Sequence, residues 1–186
     1  LAAKLNLPED DALHLRLMED AMTILENKDN NLPLTINSSE KVAYVSLGES
    51  SGRDFYDQLI TYKAITRIKA KRLDQCLAKL EGFDQVIIGI HMSNNNPWSP
   101  HKLNDKHLAW INEIGKIHKT ILAVFSKPYT LNRLESTKNI QSIIMAYQNS
   151  FFGQKAAAEL IFGAIGASGR LPVDLNHWSE GTGLKT

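Results

Sequence analysis

The chain has 186 residues, 43% of them hydrophobic and 22% charged, and 21 Lys and Arg against 20 Asp and Glu leave a net charge of +1. That is enough apolar material for one domain with a real core, and the even charge excludes a basic footprint for nucleic acid or anionic lipid. The longest apolar runs, such as QVIIGI and TILAVF, fall far short of a bilayer span, so no membrane-spanning helix is expected.

The opening LAAKLNLPED has no initiator Met, basic region or apolar h-region, so it predicts no signal peptide and reads as a piece of a longer protein. Leu13, Leu17, Met18, Ala21, Met22 and Leu25 then recur at helical spacing, and ENKDNNLPL follows as a polar turn ending in a Leu-Pro-Leu clamp. Residues 1–40 are therefore expected to be a helix and linker packed on a domain spanning 41–186. From there strands and helices alternate. KVAYVSL is a strand, GRDFYDQLITY a helix, ITRIKA a strand, KRLDQCLAKLEGF a helix and DQVIIGI a strongly apolar strand. NDKHLAWINEIGKIH is a helix with Leu108, Ile111 and Ile114 inward, KTILAVF a strand, YTLNRLES a short helix and IQSIIMAY a strand. FFGQKAAAELIFG is a helix with Phe152, Ala156, Ala157, Leu160 and Ile161 on one stripe, and RLPVDL reads as the closing strand. Continuous apolar strands alternating with amphipathic helices predict a three-layer αβα sandwich with a mostly parallel sheet of about six strands, flavodoxin-like in topology.

In such a sheet, ligands are met by loops at the carboxyl ends of the strands. Four qualify: GESSGRD, HMSNNNPWSPHKLN, SKPYTL and QNSF. The second, residues 91–104, is the longest and the richest in hydrogen-bonding groups. GESSGRD is faintly similar to a flavodoxin phosphate loop but lacks hydroxyl-rich spacing and aromatic stackers. The first strand carries no acidic pair for Mg²⁺, which excludes a response regulator. Six histidines (His14, His91, His101, His107, His118 and His177) show no short paired spacing of the zinc kind, so no metal and no cofactor are expected. Ser46, Ser50 and Ser126 lie outside any Gly-x-Ser-x-Gly elbow. Cys76, on the Leu73–Leu77–Leu80 side of its helix, reads as a packing thiol.

GAIGASGRLPVDL spaces three glycines before Arg-Leu-Pro-Val. They follow a helix and precede a strand, the reverse of a phosphate cradle, and no Lys-Ser or Lys-Thr pair accompanies them. Gly163 and Gly166 are thus helix C-terminal punctuation and Gly169 a turn residue. Arg170 is expected to brace that turn through carbonyls.

Read together, DAMTILENKDNNLPL, KPYTL and AAAELIFGAIGASGRLPVDL resemble the C-terminal α/β domain of family 3 glycoside hydrolases. The resemblance implies retaining hydrolysis of a β-linked sugar, with an aspartate nucleophile on a preceding (β/α)₈ barrel and two carboxylates roughly 5 Å apart. Many β-glucosidases of this family take their general acid, a glutamate, from the loop after the third strand. Here that loop holds no Asp or Glu. Asp105 and Glu113 follow it, the first near a helix N-cap and the second on a solvated face. The departure resembles the β-N-acetylglucosaminidase branch, whose His and Asp pair lies on a barrel loop. On this reading the chain has no catalytic residue of its own. His91, Asn94, Asn95 and Trp98 rim a carbohydrate site against the barrel, in a periplasmic or secreted enzyme. The rival expectation is a self-contained flavodoxin-like ligand-binding module.

Overall fold

The computed structural model describes residues 7–93 and 103–186. Its elements are α1 (Pro8–Ala21), β1 (Thr23–Asn27), β2 (Val42–Gly48), α2 (Arg53–Tyr62), β3 (Ile65–Ile68), α3 (Leu73–Leu80), β4 (Gln85–His91), α4 (Asp105–Ile117), β5 (Lys119–Phe125), β6 (Ser142–Met145) and α5 (Phe151–Ile161). A 3-10 helix, Pro128–Arg133, lies between β5 and β6. The sheet order is β1-β6-β5-β4-β2-β3. Its five strands β2 to β6 are parallel, and β1 runs antiparallel along β6. Counting the parallel strands in chain order gives 2-1-3-4-5, the flavodoxin-like arrangement, with its switch point between β2 and β4.

Helices cover both faces. The side chains of α1, α2 and α5 close one core with Tyr44, Ile87 and Phe125, while α3 and α4 close the other with Val45, Ile88 and Val124. On β4 every residue is buried, as a central parallel strand between two helical layers requires.

Two expected elements differ. The helical stripe running on to Leu25 breaks at Met22, whose φ of −55° and ψ of 121° leave the helix. Residues 23–27 become a strand because β6 offers them an open edge, and a short apolar run suits either state until a partner decides. Leu13 and Leu17, expected inward, are 58% and 55% exposed, while Met18 and Met22 are buried. Conversely, RLPVDL is not a strand. That edge of the sheet is already held by β1. Leu171 instead exchanges backbone hydrogen bonds with Gly181 and Thr182, and its side chain enters the core beside Trp178.

The glycine turn is structural. Gly163 has φ +72°, its N–H donates to the Leu160 carbonyl and that of Ala164 to the Glu159 carbonyl, which closes α5 in a Schellman motif. A Cβ on Gly169 would lie 2.3 Å from the Ala21 carbonyl oxygen, so this turn packs backbone against the α1–β1 junction. Arg170 Nη1 donates to the Gly183 carbonyl, bracing the turn as expected, although its side chain is exposed rather than buried. Cys76 is buried, and burial pushes its thiol up to about 11.

Candidate functional site

The parallel register places Gly48, His91 and Phe125 in one row at the carboxyl edge of the sheet, across the switch point. His91 ends β4 and is fully buried. Its ring stacks on Phe125, with centroids 4.6 Å apart and planes 10° apart, and meets Phe55 at 6.0 Å. Room for the ring comes from glycines. A Cβ on Gly52 or Gly89 would stand 2.3 or 2.4 Å from His91 Nε2, and one on Gly48 would stand 2.1 Å from the His91 carbonyl oxygen.

Both ring nitrogens are engaged. His91 Nε2 lies 2.8 Å from the Tyr44 hydroxyl and Nδ1 lies 2.7 Å from Asn149 Oδ1. Asn149 Nδ2 donates to the Ser51 carbonyl at 3.4 Å, which turns Oδ1 toward the ring. Nδ1 therefore carries the proton and Nε2 accepts from Tyr44, an assignment made from these partners. The Gly52 carbonyl, 3.2 Å from the same hydroxyl, is a second acceptor within reach. Burial lowers His91 to about 4, with Arg67 adding to the effect and the Asn149 hydrogen bond opposing it. Burial likewise raises Tyr44 far above an ordinary phenol. Near neutral pH the pair is an uncharged hub, suited to holding geometry rather than delivering a proton.

Neighbouring elements complete the rim. The α2 N-cap, Gly52, has no side chain to cap the helix, and Gln154 on α5 supplies the missing acceptor to Phe55 N at 2.9 Å. After β6 the Gln148 N–H donates to the Ala146 carbonyl at 2.6 Å around Tyr147, whose φ is +59°. Asn104 caps α4 through its bond from His107 N. Asp105 follows at the first helical position and pairs with Arg133, and Glu113 pairs with Lys116 on the exposed side. Burial, and then Lys106, hold His107 below the ordinary imidazole value, against the pull of Glu49 on the loop after β2. Two exposed aromatics stand beyond β5 and β6, Tyr129 at 57% in the 3-10 helix and Phe151 at 48% opening α5.

Of the residues singled out in the sequence, His91 sits at the centre of this network, and Asn94, Asn95 and Trp98 lie outside the described residues. Tyr44, Gly52, Gly89, Asn149 and Gln154 were not singled out. Only QNSF and GESSGRD, named as strand-end loops, pointed toward them. Among the described residues no three His, Cys, Asp or Glu side chains gather as a metal would need, and no helix is long and apolar enough to cross a membrane. A cavity of about 350 Å³ lies away from the switch point, between α4 and residues 133–140.

The family model described as the glycosyl hydrolase family 3 C-terminal domain matches residues 22–182. No curated protein matches the chain. Among solved structures, a fungal multi-domain family 3 β-N-acetylglucosaminidase is similar over 96% of this chain and 20% of its own, with 19% identity and a TM-score of 0.72. A family 3 β-N-acetylglucosaminidase from Paenibacillus sp. str. FPU-7 is similar over 92% of this chain and 34% of its own, at 19% identity and a TM-score of 0.68. A β-glucosidase from Listeria innocua in complex with isofagomine is similar over 89% of this chain and 27% of its own, at 15% identity and a TM-score of 0.73. The chain thus spans between a fifth and about a third of each of these structures, and at such identities the likeness is one of fold.

Proposed function

Given that this chain belongs to the C-terminal domain family of glycosyl hydrolase family 3, we propose that it is the second domain of a glycosidase that removes β-linked N-acetylglucosamine or a related sugar. It packs against an N-terminal (β/α)₈ barrel of the same polypeptide and rims the active site with its strand-end loops. The enzyme works in the periplasm or outside the cell, where such sugars are met.

The observation that carries the N-acetylglucosaminidase branch is the composition of residues 91–104, which include no Asp or Glu. This stretch therefore offers no carboxylic acid to protonate a leaving group, and a barrel that brings both nucleophile and acid accounts for that. The neutral His91 hub at the start of this stretch is in keeping with a loop that orients rather than donates. Asn94, Asn95 and Trp98 are assigned to contacts with sugar hydroxyls, the sugar ring or the barrel. A flavin module is less well supported, because His91, Phe125 and Phe55 fill the switch point where a flavin would enter.

The test is hydrolysis by the full-length polypeptide of 4-nitrophenyl N-acetyl-β-glucosaminide and of 4-nitrophenyl β-glucoside. Expected is a kcat/KM for the first at least roughly tenfold above the second, a difference of about 1.4 kcal/mol in transition-state binding. The 186-residue chain alone hydrolyses neither. Equal or reversed preference overturns the N-acetylglucosaminidase reading, and a stoichiometric flavin in the purified protein overturns the glycosidase reading altogether.

A further inference from the structure

The His91 network ties the paired strands β2 and β4 to the loop after β2 and to the segment beyond β6. It connects Tyr44 and Gly52 at positions 44 and 52, His91 at the end of β4, and Asn149 beyond β6. The backbone reinforces the same connection, since Ser50 N donates to the His91 carbonyl at 3.1 Å. Tyr44, Gly52 and His91 are buried, whereas Asn149 is half-exposed. The network therefore reaches the surface of the sheet's carboxyl edge through one amide.

That amide is delivered at a cost in backbone conformation. Tyr147 adopts a left-handed φ of +59°, which side chains with a Cβ rarely take, in the tight turn closed by Gln148 N and the Ala146 carbonyl. The turn is held from outside. The Tyr147 hydroxyl lies 2.9 Å from Thr23 Oγ1 and 3.3 Å from the Arg170 carbonyl, so β1 and the closing segment both fix its ring. Strain retained in this way, next to a buried polar hub at a topological switch point, is the kind of outlier from which a functional role is inferred.

We propose that Asn149, set by the Tyr147 turn and locked onto His91, is a positioning residue that clamps the loop of residues 48–52 to the end of β4 and so fixes the floor of the sugar site. The inference rests on the glycosidase reading above. A clamp of this kind lowers KM by preorganising the rim and leaves the chemical step, which belongs to the barrel, nearly untouched.

Two measurements on the full-length polypeptide test it, with Asn149→Ala and with Asn149→Asp, which keeps an acceptor facing His91 Nδ1 but loses the donor to the Ser51 carbonyl. In Asn149→Ala, amide hydrogen exchange in residues 48–52 rises at least about tenfold while the central strands β4 and β5 keep their protection. With 4-nitrophenyl N-acetyl-β-glucosaminide the same variant raises KM roughly tenfold and changes kcat by less than about threefold. Asn149→Asp, which lacks the donor to the Ser51 carbonyl, likewise raises exchange in residues 48–52, and exchange there at the original level overturns the clamp. Unchanged exchange in residues 48–52, or exchange raised uniformly through the chain, overturns the clamp. A variant that loses kcat with KM unchanged overturns its role in sugar binding. If the unaltered polypeptide hydrolyses no glycoside, the glycosidase reading falls, and the exchange measurement still decides the clamp.

Discussion

At the amino edge of the sheet, Gln85 donates to Asn31 Oδ1 at 2.9 Å, Asn31 Nδ2 donates to Ser142 Oγ, and Ser142 Oγ donates to Asn27 Oδ1. Asn27 also pairs twice with the Leu32 backbone, and Lys28 Nζ closes on the carbonyls of Thr137 and Ile140. At the carboxyl edge, two polar groups, the Tyr44 hydroxyl and Asn149 Oδ1, converge instead on one imidazole caged by Phe125 and Phe55. Both edges hold left-handed residues. The amino edge uses Asp29 and Asn30, types that tolerate the conformation, and the carboxyl edge uses Tyr147, which does not. The contrast separates a stapled end, built from side-chain amides, one hydroxyl and one ammonium group spread along several strands, from an end where burial, strain and an imidazole hub are concentrated. Functional sites in open α/β sheets lie at the second kind of end.

The largest effect that would break this comparison concerns His91. His91→Ala removes a buried ring, opens a cavity beside Phe125 and leaves Tyr44 and Asn149 without their partner, and is expected to cost about 3–5 kcal/mol of stability. Chemical denaturation of the variant checks this. A loss below about 1 kcal/mol would mean that the two edges are equally dispensable.

The next sharpens it through pH. His91 is held at about 4 in the folded chain against 6.5 for the free side chain. Between these values the unfolded state binds the proton that the folded state refuses, so stability rises with pH. The contribution is fully present above about pH 6.5 and is lost as pH falls toward about 4, roughly 3 kcal/mol in all. Denaturation midpoints across pH 4–7 read it directly. His91→Gln is expected to flatten the curve over that window.

Gln85→Leu gives the smallest effect. It strips Asn31 Oδ1 of its buried donor and should cost about 1–2 kcal/mol, with no change in the pH profile between 4 and 7. Full-length activity should stay unchanged, since this edge faces away from the strand-end loops. A shift in KM on Gln85→Leu would show that the amino edge takes part in the site after all.

How much of this was legible beforehand varies with the physics of each segment. KVAYVSL, DQVIIGI and KTILAVF are β-branched apolar runs that suit little but buried strands, and β2, β4 and β5 follow them closely. Gly163 acts locally as a helix C-terminal signal and does so here, and Asp105, read as near an N-cap, stands one residue after the capping Asn104. His91 was visible as the end of an apolar strand opening a polar loop. Its partners were not, because Tyr44 and Asn149 reach it from 47 and 58 residues away.

The sequence by itself therefore determined the class of fold, its run of parallel strands, the helix punctuation, the family likeness, and a long loop without a carboxylate. Each of these is written in local pattern or composition. Only the tertiary structure decided that TILEN is the edge strand and RLPVDL is not. One free edge along β6 accepts one antiparallel strand, and neither segment's own propensity settles which takes it. Only the tertiary structure, too, decided the character of His91. An imidazole on a rim loop is an ordinary solvated base, while the same ring beneath Gly52 and Gly89 and against Phe125 is a neutral hub, because desolvation and hydrogen-bond partners arise when distant strands align.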